Sequence, residues 1–185
     1  PREVRNGDDF RFEVLRRGIQ YVFWQPSEVV GSTGQQVRED LRTAWVASQP
    51  EAFVRVFEEA PAGCAVYRCV RDPAFEAAYR WLVAGRRAAG SGDLESALRH
   101  FDRSLGHDAR LTSALHGWAA TALLLNRDLP RAERSLRLAV RNHPSYTMGW
   151  LTLSRLYRRL GRDAEAESCL AKARAAAASP IAFEV

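Results

Sequence analysis

Lysine is nearly missing from this chain: of its 27 basic residues only Lys172 is not arginine. Residues 1–171 therefore hold no lysine for a phosphate-binding P-loop, and Gly31-Ser32-Thr33-Gly34 reads as a loop ahead of a helix. Cysteine is scarce and odd in number. Cys64, Cys69 and Cys169 stand at no zinc-ligand spacing, so reduced thiols are expected rather than a disulfide framework or a metal site. The four histidines (His100, His107, His116, His143) form no H-E-x-x-H pattern. His116 is expected to pack between helices and the other three to lie at the surface or in turns. Long apolar runs are lacking as well, so no membrane span is expected. The polar stretch Pro1 to Asp9 lacks the basic-then-apolar layout of a signal peptide. No nucleophile stands in a recognisable elbow and no carboxylate pair stands out. These absences together suggest a cytoplasmic protein with no cofactor, no metal and no activity of its own.

What is present is a period. Ala97, Ala132 and Ala166 recur at a near-constant interval of about 34 residues. A large apolar residue follows each by four positions (Phe101, Leu136, Leu170), and a small one by seven (Ser104, Ala139, Ala173). A repeat of that length built on helical spacing denotes stacked helix pairs, since one pair alone cannot bury its apolar face. The breaks fall at Ser91-Gly92-Asp93, Asn126-Arg127-Asp128 and Gly161-Arg162-Asp163. Pro130 suits the first turn of its helix, where no N–H is needed. The formal charge of +5 is uneven. Residues 1–72 carry 10 arginines against 11 carboxylates, whereas residues 73–185 carry 17 cations against 11. The arginine bias fits a GC-rich bacterial genome as well as a functional demand.

These residues resemble the tetratricopeptide repeat family, whose pattern asks for Trp, Leu, Gly and Tyr on a first helix and Ala, Phe, Ala and Pro on a second. The third unit fits through Trp150, Leu153, Tyr157, Gly161, Ala166, Leu170 and Ala173, and the first through Trp81, Gly85, Ala97 and Phe101. The second has Ala119, Ala120, Leu123, Ala132, Leu136, Ala139 and Pro144, with His116 at the usual Trp position. The resemblance implies three helical hairpins over about 78–178, a superhelix closed by a capping helix. It also implies a concave groove lined by the first helix of each hairpin. Carried over residue by residue, that groove takes Tyr79, Leu82 and Arg86, then Ala114, Gly117, Thr121 and Leu124, then Met148, Leu151, Arg155, Arg158 and Arg159. Its middle is apolar and its ends are rich in arginine, which suits an extended or helical acidic-apolar segment of a partner protein. The bland alternative is a solvated arginine face. The family's clamp for chaperone C-termini is not matched: its positions read Leu82, Arg86, Trp118, Met148 and Thr152.

Residues 1–72 match no family pattern. Phe10, Phe12 and Val14, then Ile19, Tyr21 and Phe23, alternate across Arg17-Gly18 and suggest a β-hairpin. Thr33 and Gln36 suggest a capped helix carrying Val37, Leu41 and Trp45. Ser48, Pro50 and Glu51 suggest a second, with Phe53, Val54 and Phe57 inward. Cys64 to Val70 reads as a last strand. The expectation is a small α+β unit of ββααβ order before a mainly α array; the competing reading makes residues 10–24 one helix. The function expected is an interaction module, an adaptor or scaffold. A secretion-type chaperone, a nucleic-acid binder and a regulatory domain of a larger enzyme or regulator stay open beside it, as does self-association through exposed repeat ends.

Overall fold

A computed structural model describes residues 7–24, 46, 49–59 and 64–178. The chain divides into two compact units at Asp72/Pro73. The first holds α1 (Gly7–Arg16), β1 (Tyr21–Trp24), β2 (Phe53–Glu59) and β3 (Cys64–Cys69). The strands form an antiparallel sheet of order β1-β3-β2, with the last strand central.

Two expectations for this unit are corrected. Phe10, Phe12 and Val14 lie on a helix, not a strand. Asp8 and Asp9 in its first turn and Arg16 in its last complement the helix dipole, and Glu13 pairs with Arg16 and Arg17 at 2.7 and 3.2 Å. Gly18 is the residue that ends this helix rather than a hairpin turn. It takes φ +66°, its N–H donates to the Leu15 carbonyl, and the Ile19 N–H donates to that of Val14. This paired closure depends on a residue in the left-handed region, where glycine is unstrained. Phe10 and Val14, four apart, pack against Val46, Ala52 and Phe53, with the Phe10 and Phe53 rings 5.8 Å apart. Residues 10–24 are not one helix either, since β1 begins at Tyr21.

The second correction is β2, which replaces the helix expected after Pro50. A bulge at Val56 shifts the pleat between Arg55 and Phe57. That extra residue spaces the apolar positions 53, 54 and 57 like a helix stripe. Of these three only Phe53 is buried; Val54 and Phe57 are 37% and 53% exposed. The strand expected at 64–70 is present as Cys64–Cys69. The helix expected over Val37 to Trp45 and the loop at Gly31–Gly34 lie outside the described residues.

The second unit is helical throughout its described residues: α2 (Pro73–Gly90), α3 (Leu94–His107), α4 (Thr112–Leu124), α5 (Leu129–Asn142), α6 (Thr147–Arg159) and α7 (Asp163–Ala178). They pair as three antiparallel hairpins. Asp93 and Asp128 begin the second helices of the first two, each carboxylate accepting a backbone N–H, from Ser96 at 3.0 Å and Arg131 at 3.1 Å. Ala97, Ala132 and Ala166 are fully buried at the helix crossings, with Phe101 and Leu136 filling the space beside them. Phe101 is wedged between hairpins one and two. A Cβ added at Gly85 or at Gly117 would stand 2.6 Å from its ring. Trp81 and Trp150 are half-buried and each is covered by its own hairpin. Trp81 stacks on His100 at 5.5 Å beneath Arg103, and Trp150 lies under Lys172 while donating to the Pro144 carbonyl at 2.9 Å. His100 is thus part of the packing, contrary to the surface position expected for it.

The first helices of successive hairpins approach each other more closely than the second helices do. The stack therefore curves with α2, α4 and α6 on the inner side.

Candidate peptide-binding face

The wall formed by α2, α4 and α6 has a buried base. At its base, apolar side chains from the first helices are consumed by the core. Tyr79 is buried with its ring 5.9 Å from that of Phe75, and Leu82 is wholly buried. Ala114 is fully buried as well. Gly117 leaves room for Phe101, and the buried Thr121 hydroxyl donates to the Gly117 carbonyl at 2.8 Å. Tyr79, Leu82, Ala114, Gly117 and Thr121, all expected to line the groove, thus serve packing before anything else.

On the same three helices Arg86, His116, Met148, Leu151 and Arg155 are half-buried or exposed. Met148 and Leu151 are half-buried, Arg155 is exposed, and Leu124 at the end of α4 is 70% exposed. His116 bridges α4 to α6. Its Nε2 is 3.0 Å from the Thr152 hydroxyl, and its ring meets Tyr146 edge-on at 5.4 Å. Burial pushes its pKa down to about 4, and the positive charges of Arg86 and Arg155 push in the same direction. The imidazole is therefore neutral at pH 7 and feels the charge of two guanidinium groups contributed by α2 and α6. His116 packs between hairpins, as its place in the repeat suggests. Its exposure to the charge of two cations is visible only in the fold, because Arg86 and Arg155 belong to the first and third hairpins.

Arg158 and Arg159 make contacts of their own. Arg158 pairs with Glu167 on α7 at 2.8 Å, and Arg159 donates to the Leu123 carbonyl at 3.0 Å. Three of the positions that would make a chaperone-tail clamp, Leu82, Trp118 and Thr152, are buried. Trp118 is buried beneath the Arg131 guanidinium, 4.0 Å from its ring centre, and Thr152 is buried against His116. Among the described residues no group of three His, Cys, Asp or Glu side chains converges as a metal site would require. No described helix is long and apolar enough to cross a membrane.

No family model and no curated protein matches the sequence. Solved structures do resemble it. The second TPR of Spaghetti (RPAP3) bound to the HSP90 peptide SRMEEVD is 18% identical over 54% of this chain and 92% of that one, with TM-score 0.52. The first TPR of Spaghetti, bound to the same peptide, is 18% identical over 55% of this chain and 79% of that one, at TM-score 0.52. The TPR2B domain of yeast Sti1, in a pHsp70 complex, is 17% identical over 55% and 80%, also at 0.52. At such identities the likeness concerns fold alone. Three hairpins, the buried alanines of the repeat and these likenesses agree: the helical part of the chain has the tetratricopeptide-repeat fold.

Proposed function

We propose that the helical array is a protein-interaction module whose inner face takes an extended or helical acidic-apolar segment of another protein. What supports this reading is that the positive charges of Arg86 and Arg155, from the first and third hairpins, both bear on a neutral His116, on helices that also carry the half-buried Met148 and Leu151 and the exposed Leu124. A guanidinium recognises a carboxylate through two parallel hydrogen bonds, and apolar side chains between such pairs supply the anchor. That similar structures are complexes with an HSP90 peptide and with pHsp70 supports a protein-interaction role. With Leu82, Trp118 and Thr152 buried, the recognition differs from a carboxylate clamp. On this reading the protein is an adaptor or scaffold acting in the cytoplasm, without catalysis of its own.

The nucleic-acid alternative rests on a pI near 9.6. Against it, the tryptophans of the array are poor platforms for bases, because Trp81, Trp118 and Trp150 each already carry a cation over a ring face.

The test is selection of random peptides displayed against the full chain. Enrichment of acidic residues flanking apolar ones is expected, with binding lost in Arg155→Glu. Selected peptides devoid of Asp and Glu, or bound equally by Arg155→Glu, would overturn the reading.

A further inference from the structure

On the outer side of the array, between the second and third hairpins, α5, α6 and α7 enclose an open cleft of about 530 Å³. That volume lies within the range of small-ligand sites. Its floor and rim differ in kind. The floor is apolar and buried (Val140, Leu153, Tyr157 and Cys169), with Trp150 half-buried beside it. The Trp150 indole is fixed in place by its hydrogen bond to the Pro144 carbonyl. The rim is exposed and cationic.

Arg137 and Arg141 stand one helical turn apart on α5, and Lys172 faces them from α7 with its ammonium 4.8 Å from the Trp150 ring centre. The one carboxylate of the lining, Glu165, is held by Arg162. Arg137 has only a 3.7 Å contact with Glu133, which already serves Arg162. Among the described residues no carboxylate pairs with Arg141 or Lys172. Among the described residues, two cations that pair with no carboxylate thus overlook an apolar floor.

We infer that this cleft is a second binding site, independent of the inner face, for a flat aromatic carboxylate. The ring lies on the apolar floor of Val140 and Leu153, beside the Trp150 face that Lys172 covers, and the carboxylate is held between the Arg141 guanidinium and the Lys172 ammonium. A planar carboxylate matches the guanidinium fork. A dianionic phosphate would meet stronger repulsion from Glu165.

The chain supplies its own reporter, since Lys172 is its one lysine. The full chain is acetylated with N-hydroxysuccinimidyl acetate, and mass spectrometry follows Lys172 against the N-terminal amine as internal reference. The probes are 2-naphthoate, 2-naphthylmethanol and 2-naphthyl phosphate. Millimolar 2-naphthoate is expected to slow acetylation at Lys172 several-fold and leave the N-terminal amine unchanged, while the alcohol has little effect. Arg141→Gln, an exposed change that spares folding, should weaken protection about tenfold, whereas Arg99→Gln on α3 should not. Absence of protection, equal protection by the alcohol, or an unaffected Arg141→Gln overturns the site. Tighter protection by the phosphate overturns the carboxylate assignment.

Discussion

Among single residues, His116 is the titrating group with the largest consequence. Its pKa falls to about 4 in the folded chain through burial and the charges of Arg86 and Arg155, against an ordinary value near 6.5 in the unfolded chain. Between those values the unfolded state binds a proton that the folded state refuses. The stabilisation from a neutral His116 is therefore complete above about pH 6.5 and is lost progressively as pH falls towards 4. At about 1.4 kcal/mol per pH unit, the loss is at most about 3.5 kcal/mol. Thermal unfolding should accordingly show a midpoint that drops between pH 7 and 4, and His116→Gln should flatten that drop while keeping a hydrogen-bonding group for Thr152. Identical pH profiles for the two proteins would mean that the imidazole titrates normally. The sequence shows only that a histidine replaces tryptophan in the second repeat. What it cannot show is the charge environment, because both cations arrive from other hairpins.

Between helices, the close contacts are legible where they obey the repeat and hidden where they depart from it. Gly85 and the alanines at 97 and 132 are readable as crossing points because they recur. Gly117 falls on an inner-face position of the repeat, yet it is the partner surface for Phe101 from the preceding hairpin. Gly117→Ala therefore tests which role dominates. An alanine normally stabilises a helix interior by up to about 1 kcal/mol, but here its Cβ would meet a ring that is 2% exposed and hemmed in by Gly85. Net destabilisation of about 1–3 kcal/mol is expected in chemical denaturation, and Phe101→Leu in the same chain should recover part of it. The opposite sign is expected at Asn126, which holds φ 54° where Gly161 holds φ 69° in the next hairpin. Asn126→Gly should raise the thermal midpoint slightly, by relief worth roughly a few tenths of a kcal/mol. In the first unit, too, what misleads is local pattern. Alternation in Phe10, Phe12 and Val14 coexists with i, i+4 spacing of Phe10 and Val14, and the Gly18 closure decides between them. In β2 the bulge at Val56 disguises a strand as a helix stripe.

Taken as an assembly of hairpins, a repeat array is as stable as the links between neighbours allow, because each hairpin touches only the next. Hairpins one and two are joined by Arg127–Glu95 and Arg131–Asp102, which are exposed pairs and individually weak. The junction of hairpins two and three converges instead on Glu133. Its carboxylate accepts from the Tyr157 hydroxyl at 3.1 Å and from Arg162 at 2.9 Å, while Arg162 also covers the Tyr157 ring at 4.4 Å. The Tyr157 phenol is correspondingly raised to about 12, by burial first and by Glu133 next. Removing this acceptor leaves a buried hydroxyl without its partner, which costs about 1–3 kcal/mol. Because the loss sits at a junction, it should not spread evenly. In Glu133→Ala, amide hydrogen exchange is expected to quicken across α6 and α7 while α2 and α3 keep their protection. Glu133→Gln, which can still accept from Tyr157, should fall between that variant and the unaltered chain. Uniform quickening over all six helices would show that the array unfolds as one block, and that the last hairpin has no separate hold on its neighbour.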